Sequence, residues 1–157
     1  MRFLLIVLLV AGVYAPAPAQ SKQLTGKAVK IIDGDTFDLL VGTTTFRVRL
    51  QGIDCPEKKQ PYSAQATAAL GRWCGTGPLV VRYSSKDRSG RILGDVYTRS
   101  GTWVNLELVK QGMAWHFKKY SSDRQLAAAE QDARKRSVGL WQQRNPVAPW
   151  LWRKGVR

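Results

Sequence analysis

Five short runs of alternating or β-branched residues, three stretches with helical periodicity, and glycines at the junctions together predict an α+β fold that is mainly β: a five-stranded Greek-key barrel of the OB type with three helices. At 157 residues, 44% of them apolar, the chain suffices for one compact domain with a real core but hardly for two.

Ahead of that domain, Met1 to Ala15 begins with a positive charge at Arg2 and continues as an apolar run too short to span a bilayer comfortably. It reads as a secretory signal peptide over residues 1–19. Ala17-Pro18-Ala19 supplies the small residues that precede a cleavage site, with a cut after Ala17 as the alternative. The mature domain then covers residues 20–157 and is secreted or periplasmic. Without Arg2 the formal charge of +14 falls by one, leaving a strongly cationic chain that attracts polyanions, nucleic acid first among them. A membrane surface is the competing partner, but no long segment combines a broad apolar face with a basic one.

Ala28 to Asp33 and Phe37 to Val41 read as two strands joined at Gly34. In Thr43 to Gly52 the apolar Phe46, Val48 and Leu50 alternate with Arg47, Arg49 and Gln51, so both arginines lie opposite the apolar face. Ala66, Ala69, Leu70 and Trp73 repeat at helical spacing within Tyr62 to Cys74, an amphipathic helix. Leu79 to Tyr83 and Arg91 to Thr98 return to strand character across a Ser84 to Gly90 connection. A short helix follows from Val104 to Gln111, stopped by Gly112. A third helix should start near Ser122, where Ser122 and Gln125 have capping-box spacing, and run to about Arg136. The Pro- and Trp-rich tail from Asn145 to Trp152 reads as non-helical, with its tryptophans packed back onto the body. No repeat or low-complexity segment is present.

Acid is scarce, 11 Asp and Glu against 25 Lys and Arg, yet it concentrates beside arginines between Asp33 and Glu57. Asp33-Gly34-Asp35-Thr36, Val48-Arg49-Leu50 through Ile53-Asp54-Cys55-Pro56-Glu57, and Ser89-Gly90-Arg91 together carry the inventory of a phosphodiesterase. There are carboxylates for a hard cation, one carboxylate free to handle a proton, and two planar guanidiniums for a phosphate. Taken singly these features have plainer uses: Asp33 and Asp35 as turn formers, Arg49 as a solvated strand residue, Glu57 as a surface ion pair with Lys58 or Lys59. The single histidine, His116, excludes two-histidine nuclease designs, and with only two cysteines a structural zinc site fits poorly. Trp115, Phe117 and Trp141 read as core before base-stacking platforms. Cys55 and Cys74 can pair in an oxidising compartment, which would restrict the unfolded chain by about 3 kcal/mol.

With Asp87-Arg88-Ser89-Gly90-Arg91, Gln111-Gly112-Met113-Ala114 and Gly139-Leu140-Trp141 added, five motifs in order resemble the staphylococcal (thermo)nuclease family from about Gly26 through Trp141. The resemblance implies a calcium-dependent, sugar-nonspecific endonuclease, a hydrolase that cleaves DNA and RNA on the 5′ side of the phosphate and leaves 3′-phosphate ends. It implies Asp35 and Asp54 as carboxylate ligands of Ca2+, Cys55 as the ligand through its main-chain carbonyl, and Arg49, Glu57 and Arg91 as the catalytic trio. Asp33 matches an acidic residue near the metal but outside its ligands. Two departures stand out. Ser89 replaces a tyrosine that touches the terminal phosphate or sugar, and the loop from Glu57 to Tyr62 is shorter than in the prototype. Tyr120 is the nearest tyrosine to a nucleotide-stacking position, but its spacing differs and the role is not carried over. A catalytically inactive nucleic-acid-binding module of the same fold is the alternative, and nothing indicates a stable protein partner or an oligomer.

Overall fold

The computed structural model describes residues 21–157, so the signal peptide expected over residues 1–19 lies outside the described residues. Strands β1 (Lys22–Ile31), β2 (Thr36–Val41), β3 (Thr44–Leu50), β5 (Leu79–Lys86) and β6 (Ile92–Thr98) close a barrel in the order β1-β2-β3-β6-β5. All neighbours are antiparallel except β3 and β6, which run parallel from Val48 opposite Ile92 to Leu50 opposite Gly94. This is the expected five-stranded barrel. Its interior is filled by Phe37, Leu39, Val48, Leu50, Leu79, Val81, Ile92 and Val96, each at most 1% exposed, so the barrel is a packed core and not a channel.

Two further strands, β4 (Ile53–Asp54) and β7 (Trp115–His116), pair outside the barrel. Helix α1 (Ser63–Cys74) buries Ala66, Ala69, Leu70 and Cys74, and α2 (Val104–Lys110) buries Val104, Asn105, Leu108 and Val109. The Asn105 side chain accepts from the Val96 N–H (3.0 Å) and donates to the carbonyls of Gln51 (3.0 Å) and Gly94 (3.2 Å), tying α2 to β6 and to the turn that leads into β4. Helix α3 (Arg124–Lys135) is capped by Asp123, whose Oδ1 accepts from the N–H groups of Gln125 (2.8 Å) and Leu126 (2.9 Å). The cap therefore sits one residue beyond Ser122, since aspartate satisfies two of the orphan amides at once.

Gly112 and Gly139, from two of the recurring motifs, meet backbone to backbone: Leu140 N–H donates to the Gly112 carbonyl at 2.8 Å. Both have positive φ, and a Cβ on Gly139 would fall 2.3 Å from that carbonyl oxygen, so no side chain fits at the junction of α2 with the Gly139–Gln142 3-10 turn. The tail differs from expectation. Pro149–Trp152 forms a fourth, one-turn helix, α4, with Pro149 in its first turn, where its missing N–H leaves no bond unmade. Trp150 stacks on Phe117 (centroids 5.1 Å, 5° between planes) and meets Trp115 edge-on at 5.5 Å, so it packs back as expected, whereas Trp152 lies under Arg157.

Candidate active site

Asp35 stands at the entrance to β2, where its carbonyl accepts from Leu50 N–H at 2.9 Å, and Thr36 is in register with Arg49 on β3. Asp54 ends β4, held by its pairing with Trp115. The turn between β3 and β4 is fixed by Gly52 at φ 75°, whose carbonyl accepts from Phe117 N–H at 2.9 Å. These placements let the Arg49 guanidinium bridge two carboxylates: Nη1 donates to Asp35 Oδ1 and Nη2 to Asp54 Oδ1 at 2.8 Å. The Cys55 N–H donates to the other oxygen of Asp35 at 2.9 Å. Asp33 Oδ1 accepts from the Asp35 N–H at 3.0 Å, shaping the turn.

Both bridged carboxylates are buried, Asp35 at 2% and Asp54 at 0% exposure. Burial pushes Asp35 up to about 7; with the repulsion of Asp33 and Asp54 it outweighs the attraction of Arg49 and the Cys55 N–H. Burial opposes the charge on Arg49, but Asp35 and Asp54 more than compensate and hold it above its ordinary value. Two sunken carboxylates, joined by the largely buried guanidinium of Arg49, make a centre that favours positive charge. Their donors are all oxygens, which suits a hard divalent ion such as calcium. Asp35, Asp54 and the Cys55 carbonyl would hold it. Among the described residues no three Asp, Glu, His or Cys side chains form a ready-made metal cage.

Glu57 follows Asp54 after the buried Cys55 and Pro56, and its side chain is 36% exposed, so it can meet solvent. Its N–H is received by Gln60 Oε1 at 2.9 Å, and Gln60, only 6% exposed, donates in turn to the Val147 carbonyl at 2.7 Å. Arg153, just beyond α4, donates to Glu57 Oε1 and to both oxygens of Asp54, at 3.2 and 2.8 Å. Those contacts, the hydrogen bonds to Asp54 foremost, hold the Arg153 guanidinium above its ordinary value despite partial burial. Neither Gln60 nor Arg153 was singled out by the sequence. The only local signal was the Pro- and Trp-rich tail, which indicated docking but not its target.

Arg91 lies apart from this group. It precedes Ile92 on β6, and because Arg49 is in register with Leu93, Arg91 two residues earlier shares that face. Arg49 and Arg91 line one cleft of about 1090 Å3, together with Asp87, Ser89, Trp103 and Tyr120. Arg91 Nε donates to Asp87 Oδ2 at 2.7 Å, and Asp87 Oδ1 accepts from the N–H groups of Ser89 and Arg91. Asp87 lies below the usual carboxylate range: burial opposes this, but the hydrogen bonds from Arg91 prevail.

The disulfide considered between Cys55 and Cys74 is not formed, and both are free and buried thiols. Cys55 Sγ donates to the Gly34 carbonyl at 3.2 Å, and Cys74 lies at the end of α1 against the core. Burial pushes Cys55 well up and Cys74 to about 12, so neither is a nucleophile at neutral pH. His116 is a packed residue, 3% exposed, with Nε2 3.1 Å from Ser121 Oγ. Trp115 and Trp141 are buried as expected, while Phe117 is half-buried and lines the cleft.

Residues 47–143 match the family described as Staphylococcal nuclease homologue. An uncharacterized endonuclease of Escherichia coli is 38% identical over 136 residues, covering 87% of this chain and 89% of that protein. The micrococcal nuclease of Shigella flexneri is 37% identical over 142 residues, 84% of this chain and 82% of its own length. Staphylococcal-like nuclease CAN1 of Arabidopsis thaliana is 38% identical over 144 residues, 92% of this chain but 44% of the plant protein. With that match extending from β3 through the 3-10 turn, and relatives this similar along most of their length, the chain belongs to the staphylococcal nuclease family.

Proposed function

We propose that this protein is an exported, calcium-dependent, sugar-nonspecific nuclease that hydrolyses phosphodiester bonds of DNA and RNA and leaves 3′-phosphate ends. Nuclease activity is what its family membership and its endonuclease and micrococcal nuclease relatives support. The observation that carries the finer reading is the Asp35–Arg49–Asp54 bridge with a solvent-reaching Glu57 beside it, at the margin of a cleft that also presents Arg91.

Hydrolysis drives water against an anionic phosphorus while an alkoxide leaves, so charge grows on the equatorial and leaving oxygens. Arg49 on β3 and Arg91 just before β6 carry planar guanidiniums on one cleft, suited to those oxygens. Glu57, accessible where Asp35 and Asp54 are not, is the general base for the attacking water. A bound divalent ion supplies charge neutralisation and a site for water. The cationic surface draws a polyanion into the cleft without selecting its sequence or sugar. The basic start and apolar run of residues 1–15 support export.

The test is to incubate the mature protein with plasmid, single-stranded DNA and RNA, in calcium or in chelator, and to assay the product ends. Expected are calcium-dependent cutting of all three and 3′-phosphate termini, with turnover largely abolished in folded Glu57→Gln and Arg91→Ala variants. Binding without cutting would assign the chain to the inactive nucleic-acid-binding class, and 5′-phosphate ends or full activity in those variants would refute the mechanism.

A further inference from the structure

The acidic centre is bound by a cation that belongs to the chain itself. Asp54 Oδ1 receives both Arg49 and Arg153, and Oδ2 receives Arg153. Asp35 Oδ1 receives Arg49 and the Thr36 hydroxyl, and Oδ2 receives the Cys55 N–H. A divalent ion ligated by Asp54 approaches an oxygen that a guanidinium now holds, so the ion and an arginine compete for the same carboxylate. Arg49 is fixed on a barrel strand, clasped at both Nη nitrogens, with its side chain 18% exposed. Arg153 lies just past a one-turn helix near the chain end, with its side chain 40% exposed.

The backbone that carries Arg153 need not move for it to leave. Trp150 is stacked on Phe117 and braced by Trp115, and the Val147 carbonyl is held by Gln60. Arg153 also lines an open groove of about 490 Å3, whose lining includes Trp150, Glu130, Lys118, Arg134 and Lys154 but not Asp54, space into which a long side chain can turn. We propose that Arg153 is an exchangeable cation of the metal-free site: it neutralises Asp54 and Glu57 until a divalent ion takes Asp54, then swings into this groove while the tail stays docked. The proposal rests on the divalent-ion reading above.

Calorimetric titration of calcium into metal-free wild type, Arg153→Gln and Arg153→Lys tests it without reference to activity. Because the ion no longer has to displace a guanidinium, Arg153→Gln binds calcium at least tenfold more tightly than wild type, with Arg153→Lys between them. In chelator, Arg153→Gln melts below wild type, because Asp54 and Glu57 lose their partner; in saturating calcium the gap closes. Equal or weaker calcium binding in Arg153→Gln, or a melting gap that persists in calcium, overturns the exchange and leaves Arg153 a structural ion pair. Absence of calcium uptake by wild type and both variants refutes the metal reading itself and the exchange with it. Uptake by wild type at an affinity the variants share refutes the exchange alone.

Discussion

Gln60 joins two segments far apart in sequence, and replacing it separates their contributions. Its Oε1 receives the Glu57 N–H at 2.9 Å and its Nε2 reaches the Val147 carbonyl at 2.7 Å, from a side chain in a residue only 6% exposed. Gln60→Ala removes two hydrogen bonds with a net value of about 0.5–1.5 kcal/mol each and leaves two half-buried main-chain groups to find water. A loss of about 2–3 kcal/mol in unfolding free energy follows, with the lost packing of the side chain included. Gln60→Glu keeps the acceptor for Glu57 N–H but sets a carboxylate against the Val147 carbonyl and near Glu57, so it should be at least as destabilising at neutral pH. Urea unfolding of both variants at constant m measures this. Turnover should fall in both because the loop bearing Glu57 loosens. Two variants within about 0.5 kcal/mol of wild type, a change within the range of ordinary surface substitutions, would show that the Glu57 loop and the tail are not held through Gln60.

Gly34→Ala places a Cβ 2.7 Å from that of Cys55 and 2.8 Å from that of Ala66, so the turn bearing Asp33 and Asp35 must shift from α1; about 1–3 kcal/mol of destabilisation is expected, and a melting temperature equal to wild type would contradict the packing. Asp95 receives Gln51 Nε2 at 2.6 Å and Trp103 Nε1 at 3.1 Å, and its burial outweighs both donors and raises it above the usual carboxylate range. Its stability contribution is therefore complete below the unfolded value near 3.8 and is lost as pH rises through the folded one, so Asp95→Asn should gain on wild type between pH 4 and neutrality. Unfolding free energies measured across that range test the sign, and a difference independent of pH would refute it.

The barrel was legible because its strands bury one face: Phe46, Val48 and Leu50 alternate with arginines in the sequence, and the structure keeps Val48 and Leu50 inside. Helix α1 was legible for the corresponding reason at helical spacing, through Ala66, Ala69 and Leu70. β4 and β7 were not, since two residues carry no periodicity and Ile53–Asp54 pairs with Trp115–His116 only once the whole chain has folded. β1 begins at Lys22, ahead of its apolar portion, because its polar first half is specified by pairing with β5 from Lys22 opposite Tyr83 to Gly26 opposite Leu79. Proline in the tail argued against a helix, yet proline in a first turn is compatible with one. Asp35, Asp54, Arg49 and Glu57 stood out as scarce acid beside arginine, and the fold does bring that group together. Arg153 had no such signal: it is 96 residues from Glu57, one of 25 Lys and Arg in the chain.

The serine at position 89 bears on how Arg91 is placed. Asp87 receives the Ser89 N–H at 2.9 Å, the Arg91 N–H at 3.0 Å and Arg91 Nε at 2.7 Å, while the Gly90 N–H donates to the Asp87 carbonyl at 3.0 Å. Residue 89 thus enters the turn through its main chain alone, so the identity of its side chain does not set the scaffold of Arg91. Asp87 engages the guanidinium only at Nε, so among the described residues both Nη nitrogens are without a protein acceptor and the side chain, 34% exposed, can present them to the cleft. A carboxylate that holds one edge of a guanidinium and leaves its fork to solvent orients it without consuming its donors. Arg49 is the opposite case, with both Nη nitrogens committed to Asp35 and Asp54. Arg91 can therefore receive a phosphate as it stands, whereas Arg49 must share donors with two carboxylates, so binding of a free nucleotide in chelator should weaken more in Arg91→Lys than in Arg49→Lys, and an equal or reversed effect would refute this.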